Sequence, residues 1–240
     1  MCRNDVDRTT PGSHRYIQDN SRPAIKIKFS AGERVILVPM APRRIGVFGG
    51  SFDPPHIGHL ILAEEAIHQL QLAQVLWVLT PINPLKNHQP ITSLEHRLVM
   101  LELATARNPK FEISNLEINR PGPQYTLETL QLLKDQEPES NLILLLGGDS
   151  LRDLPNWREP LEILRICHQV GVMRRPGDRV DLSHLESQLP GISEKIAFID
   201  APLLEIAARE IRQRIKDGAP YQYYLRPSVF DYIRREKLYL

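Results

Sequence analysis

The sequence predicts an α/β protein: a parallel sheet with helices on both faces. Three observations carry that expectation. From Arg44 onward, short apolar runs alternate with segments of helical length and helical periodicity, the rhythm of successive β-α-β units. The first of these runs, "RIGVFGG", reads as a buried strand that ends in glycines and feeds a helix. No internal repeat or low-complexity tract interrupts the pattern. In such sheets ligands bind beyond the carboxyl ends of the strands, which is where chemistry is expected.

Each element follows from local signals. Arg44 to Gly50 is the first strand, and His56 to Leu70 a helix whose apolar residues, Ile57, Leu60, Ile61, Ala63, Ile67 and Leu70, cover a broad face. "VLWVLT" is the second strand, followed by the proline-rich loop "PINPLKNHQPI". Thr92 with Glu95 makes a capping-box pattern before the helix "SLEHRLVMLELATAR". Then come the strand "FEISNLEI", the loop "NRPGPQ", a helix from Thr126 and the strand "NLILLLGG". "DSLRDLPNW" reads as a loop into the helix around "REPLEILR", the strand "HQVGVM" and the turn "RRPG". "KIAFID" is the last strand. Two helices close the chain, "IAAREIRQRIKDG" with Gly218 as its stop and "PSVFDYIRREKL" opened by Pro227.

Residues 1–42 differ from the rest. Met1 to Pro23 are polar and turn-rich, and "IKIKF" and "RVILV" read as two short strands around a turn. The reading is an N-terminal extension over 1–42 and one domain over 43–240. Met40 is also a plausible start in its own right, and the sequence leaves both options open.

Bulk properties exclude several classes. The 240 residues carry a net charge of +1, are 42% hydrophobic and 25% charged, so no global charge calls for nucleic acid or a membrane. No apolar run approaches the ~20 residues of a membrane span, and the first residues lack the apolar core of a secretory signal. Cys2 and Cys167 form no metal or redox spacing, which fits a reducing cytoplasm.

"GGSFDPPHIGH", Gly49 to His59, carries the chemistry. Gly49 and Gly50 let backbone and ligand approach closely, and Pro54 and Pro55 stiffen the descent into the helix. His56 and His59 fall on one face of the first turn, with Gly58 leaving that face open. A helix N-terminus already favours anions, and two imidazoles there add donors for phosphate oxygens. Elsewhere there is no Ser-His-Asp set, no Cys-His pair and no carboxylate dyad, and no dedicated metal cage is expected.

This string, after a glycine-ended strand, resembles the H-x-G-H signature of the nucleotidylyltransferase superfamily, which has a Rossmann-like fold. "NPLK" (Asn83–Lys86), "QYTLETL", "GGDSLRDLPNW", "RRPG" and "YLRPSVFDYI" together are similar to the bacterial nicotinate-nucleotide adenylyltransferases, from about Arg44 to the C-terminus. Pantetheine-phosphate adenylyltransferases share "GSFDP" and "GH" but lack the "YTLETL" and "DSL…LPNW" pair.

The resemblance implies adenylyl transfer from ATP to nicotinate mononucleotide, with Mg²⁺ carried on the ATP phosphates. It assigns phosphate contacts and transition-state stabilisation to His59 with His56, and further catalytic roles to Lys86 and Arg212. Gly49, Gly50, Ser51, Phe52, Gly58, Gly147, Asp149 and Arg209 would bind ATP, with Asp149 accepting from a ribose hydroxyl or capping the turn "SLRDL". Trp157 would stack on the pyridine ring, and Thr126 and the backbone N–H of Arg158 would face the nicotinate carboxylate. One departure stands out. The family's closing motif, roughly I-S-S/A-T-x-I-R, reads "IAAREIR" here: Arg212 is kept, but the hydroxyls at Ala207, Ala208 and Arg209 are not. That leaves open a second reading, a catalytically weakened nucleotide-binding homologue with a regulatory or scaffolding role.

Overall fold

The structure, a computed structural model, describes residues 41–82, 91–173, 181–202 and 205–240. The predicted strands "IKIKF" and "RVILV", Lys86 and the "RRPG" turn lie outside them. The described residues form a six-stranded sheet in the order β3-β2-β1-β4-β5-β6, every neighbouring pair parallel. The strands are β1 (Arg44–Gly50), β2 (Gln74–Leu79), β3 (Phe111–Ser114), β4 (Asn141–Gly147), β5 (Gln169–Met173) and β6 (Ile196–Ile199). The helices are α1 (Ile57–Gln69), α2 (Leu94–Thr105), α3 (Thr126–Gln136), α4 (Gly148–Asp153), α5 (Pro160–Ile166), α6 (Leu182–Gln188), α7 (Ile192–Lys195), α8 (Ala208–Lys216) and α9 (Pro227–Arg235). This is the Rossmann-like arrangement predicted, and the strand order reverses between β1 and β4.

Period-two alternation along each strand feeds two cores. Ile45, Val47, Leu142, Leu144 and Leu146 face one layer with α3, α5, α6 and α7, while Phe48, Trp77, Ile143 and Leu145 face the other with α1 and α2. A third cluster seals the outer side of α2 with Ile211 and Ile215 of α8 and Val229 and Ile233 of α9. Among the described residues no helix is long and apolar enough to cross a membrane.

Several sequence expectations are corrected. The cap of α2 is Ser93, whose hydroxyl accepts from the His96 N–H, and not Thr92. The strand expected over "FEISNLEI" stops at Ser114, where its pairing with Val78 ends. "DSLRDLPNW" is largely helical, as α4 followed by a 3-10 turn over Leu154–Asn156, because Leu151 and Leu154 turn into the core. Gly218 does stop α8, with φ +65°, and Pro227 is the first residue of α9.

The register places the site. β1 stays paired with β2 up to Gly50–Leu79, but its pairing with β4 ends at Val47–Leu144. Beyond that point Phe48–Gly50 and Leu145–Gly147 diverge, and the sheet splits open at the place where its strand order reverses.

Candidate active site

The split is a cleft of about 400 Å³. One wall is Phe48, Gly49, Gly50 and Ser51 from the end of β1; the other is Leu145, Leu146 and Gly147 from β4. At Gly49 and Gly147 a Cβ would meet nothing within 4 Å, so both glycines present bare backbone to the space between the strands. Tyr125, Thr126, Asn156, Trp157 and Arg158 close the far end.

The loop after β1 is held hard. Phe52 has a left-handed backbone (φ +46°), yet its ring is only 3% exposed. The ring packs edge-on against Phe48 (5.4 Å) and His59 (5.2 Å), with Trp77 at 5.3 Å. Burying the ring, worth about 1.5–3 kcal/mol, outweighs a left-handed cost of roughly 1–2 kcal/mol. Phe52, which the resemblance assigns to ATP binding, thus braces the β1–α1 loop with its buried ring and is not part of this cleft's lining.

His56 is the N-cap of α1, just ahead of the helix instead of within its first turn. The His56 and His59 rings stack, 3.6 Å apart and 22° from parallel. His59 Nδ1 accepts the His56 backbone N–H at 3.2 Å, so in the neutral ring the proton sits on Nε2, which becomes the donor. A Cβ on Gly58 would stand 3.2 Å from the His56 ring; glycine is what lets that imidazole lie over the helix start. His59 lies against Phe48 of the cleft wall, ring centroids 5.8 Å apart.

Two residues that the sequence reading passed over organise this loop. Arg97 of α2 is 1% exposed, and its guanidinium donates to the carbonyls of Ser51 (3.0 Å), Thr80 (2.8 Å), Pro81 (3.0 Å) and Thr92 (3.0 Å). Burial pulls its pKa below the ordinary arginine value, while Asp53 pulls it back up. Asp53 is 5% exposed and accepts from the Thr92 N–H (3.3 Å) and the Tyr239 hydroxyl (2.6 Å). Arg212 of α8 donates to the Asp53 backbone carbonyl (2.6 Å) and stands 4.0 Å from its carboxylate. Arg97 had a legible signal: a charge at the position that continues into the buried stripe Met100, Leu101 and Ala104. Asp53 and Tyr239, 186 residues apart, had none.

At the far end, Thr126 is the first residue of α3, as expected. Arg158 precedes Glu159, the N-cap of α5, so its N–H is not one of that helix's free donors. Its guanidinium instead lies 4.7 Å over the Tyr125 ring and 3.6 Å from Glu128. Trp157 is half-buried, packed on the core, with its indole Nε1 unpartnered among the described residues. Gln124 ties this end to the β2 loop, accepting from the Ile82 N–H (3.1 Å) and donating to the Arg120 carbonyl (3.0 Å). Buried Glu117, also in the cleft wall, accepts from the Thr129 hydroxyl at 2.7 Å.

Comparisons with known proteins agree with this geometry. Residues 47–214 match the cytidylyltransferase-like family. The chain is 47% identical to the probable nicotinate-nucleotide adenylyltransferase of Roseiflexus castenholzii, over 83% of this chain and 100% of that protein. It is 36% identical to the nicotinate-nucleotide adenylyltransferase of Bacillus subtilis, over 82% of this chain and 98% of that one. The fold matches the nicotinic acid mononucleotide adenylyltransferase of Plasmodium falciparum, solved with NaAD, at TM-score 0.70 and 22% identity, covering 82% and 97%. The chain belongs to the nicotinate-nucleotide adenylyltransferase family.

Of the assigned residues among those described, the cleft lining includes Gly49, Gly50, Ser51, Thr126, Gly147, Trp157 and Arg158, and leaves out, besides Phe52, His56, Gly58, His59, Arg212, Asp149 and Arg209. Asp149 is the second residue of α4, whose N-cap is Gly147, so Asp149 does not cap that turn; it pairs with Arg152. Arg209 is exposed on the first turn of α8, and the α8 N-cap is Ala207, with no side-chain cap bond. Among the described residues no group of three or more His, Cys, Asp or Glu is placed to hold a metal ion.

Proposed function

We propose that this adenylyltransferase works on ATP and nicotinate mononucleotide across the β1–β4 cleft, within residues 43–240. The carrying observation is that one cleft joins the bare backbone of Gly49, Gly50 and Gly147 to Thr126 and Trp157 at its far end. A phosphate oxygen of nicotinate mononucleotide attacks the α-phosphorus of ATP, the bond to the bridging β-phosphate oxygen breaks, and pyrophosphate leaves. The attacking oxygen is already ionised at neutral pH, so no protein base is needed and positioning with charge stabilisation suffices.

In this reading His59 Nε2–H, beside His56, donates to the phosphates, and Arg212 and Lys86 add positive charge. Gly49, Gly50, Ser51, Gly58, Gly147, Asp149 and Arg209 surround the nucleotide. Trp157 stacks on the pyridine ring, and Thr126 at the start of α3 faces the carboxylate, with Arg158 alongside. Mg²⁺ enters as part of the ATP substrate, because imidazole and N–H donors suit phosphate oxygens better than a hard cation. A reducing cytoplasm fits the absence of a paired-cysteine spacing in the sequence.

Pyrophosphate release from ATP plus nicotinate mononucleotide tests the proposal. Nicotinamide mononucleotide should be the poorer substrate, since losing a charged hydrogen bond costs about 1.5–3 kcal/mol, or roughly 10- to 150-fold. Equal efficiency on both would remove the pocket assignment. The Ala207 cap of α8 is what favours binding without turnover, and the same assay decides that alternative.

A further inference from the structure

Asp53 is where four distant parts of the chain meet. It lies on the loop between β1 and α1, and its partners come from the approach to α2 (Thr92), from α8 (Arg212) and from the residue before last, Tyr239. Arg97, which grips Ser51 on the same loop, is close enough for Asp53 to raise its pKa. The C-terminus is fixed for this contact. The Leu238 N–H closes back on Ile233, Tyr239 takes a left-handed turn (φ +67°), and its side chain packs into the α2–α8–α9 cluster. The phenol then donates to Asp53 Oδ1 at 2.6 Å, with Met100 sulfur 3.8 Å away.

A buried carboxylate needs its acceptor sites filled, and each donor fixes its direction. With Oδ1 held by the phenol and Oδ2 on the Thr92 N–H, the loop has one orientation, and so does the Asp53 carbonyl that holds Arg212. We propose that Tyr239 is a positioning residue for ATP, acting through Asp53 to set the β1–α1 loop and Arg212 where the phosphates bind. The proposal rests on the adenylyl-transfer reading above. Burial and the neighbouring Asp53 push the phenol well above its usual pKa, so it stays a donor throughout the working pH range.

The test is Tyr239→Phe, which keeps the packed ring and removes the donor. Measured with each substrate varied in turn, it should lower kcat/KM for ATP about tenfold, in line with one charge-assisted bond. KM for nicotinate mononucleotide should stay within about twofold, and the melting temperature should fall by only a few degrees, because the packed ring remains while the buried carboxylate loses one donor. The affinity for a non-hydrolysable ATP analogue should fall in parallel. Tyr239→Phe combined with Asp53→Asn should be no worse than Asp53→Asn alone, since both break one link. Unchanged ATP constants, a rise in KM for nicotinate mononucleotide as large as the ATP effect, or additive losses in the double variant would each overturn the proposal. A wild-type chain that releases no pyrophosphate would instead sink the activity reading. Analogue affinity alone would then decide, with equal binding by wild type and Tyr239→Phe overturning the positioning role of Tyr239.

Discussion

Replacing Arg97 with Met tests how far the β1–α1 loop is held by this one side chain. The substitution keeps an unbranched chain in the α2 groove but leaves the carbonyls of Ser51, Thr80, Pro81 and Thr92 without their donor. Hydrogen bonds to a charged group are worth about 1.5–3 kcal/mol each, so four give a gross loss of roughly 6–12 kcal/mol. Set against that, the guanidinium no longer has to be desolvated, which returns several kcal/mol. The net expectation is about 3–5 kcal/mol of lost stability, the usual result of removing one partner from a buried charged network. With a urea slope of about 2 kcal/mol/M, the midpoint should drop by roughly 2 M. Arg97→Lys should fall between, because an ammonium reaches fewer of the four carbonyls at once. Urea unfolding followed by circular dichroism reads both. A shift below about 0.5 M for Arg97→Met would show that the four carbonyls find other partners and that the network argument is wrong.

Trp157→Ala should mainly raise KM for nicotinate mononucleotide, and His59→Ala should mainly lower kcat, because a stack is present in ground and transition states alike whereas a phosphate donor tightens as charge redistributes; steady-state kinetics showing the reverse would mean the roles are exchanged. Arg209→Ala should weaken ATP binding, read by analogue titration, because a cation in the first turn of α8 stands where hydroxyls are missing; unchanged affinity would leave the helix N–H groups as the sole compensation. Burial pushes the Cys167 thiol up to about 12, so with Cys2 replaced by Ser the native protein at pH 8 should have a thiolate fraction of about 10⁻⁴ and resist a disulfide reagent until unfolded; rapid labelling of the native protein would contradict that burial. A chain starting at Met40 should fold and keep whatever activity the full chain has, since the polar opening of the sequence can bury little surface and the first strand begins at Arg44; insolubility of that chain would make residues 1–39 part of the folded unit.

The strands and long helices were legible because doubly covered strands read as apolar runs bounded by glycine and proline. Where the reading failed, tertiary contact decided. "FEISNLEI" alternates apolar and polar residues as far as Ser114, the phase breaks at the polar pair Ser114–Asn115, and β2 offers a partner only up to Val78. The remainder turns, with the Asn119 N–H on the Asn115 carbonyl, and brings Glu117 to the cleft wall. "DSLRDLPNW" looked like a loop because of its polar residues and Pro155. Its helical signal, Leu151 and Leu154 three apart, was present but short. The glycines, Thr126 and Trp157 could be found because their roles follow from local backbone chemistry or from a motif. Asp53 and Tyr239 could not, since no residue near either of them in sequence hints at its partner, and the charge that Arg97 places on the buried stripe of α2 did not say what it holds.

The hydrogen bonding of the β1–α1 loop explains why the legible and the hidden parts need each other. Every buried carbonyl must find a donor, and past Gly50 the loop has left the strand ladder. The Gly50 carbonyl takes the Thr80 N–H, that of Ser51 takes Arg97, that of Asp53 takes Arg212, and that of His56 takes the His59 N–H. Side chains from α2 and α8 thus complete what a neighbouring strand would otherwise supply. A reaction catalysed by positioning requires such fixity, because small displacements of phosphate donors cost large factors in rate. A strand paired along the loop would have provided the same bonds and closed the cleft. Holding the loop with long side chains from outside the sheet leaves the backbone of Gly49 and Gly147 facing open space, the space proposed above for the nucleotide.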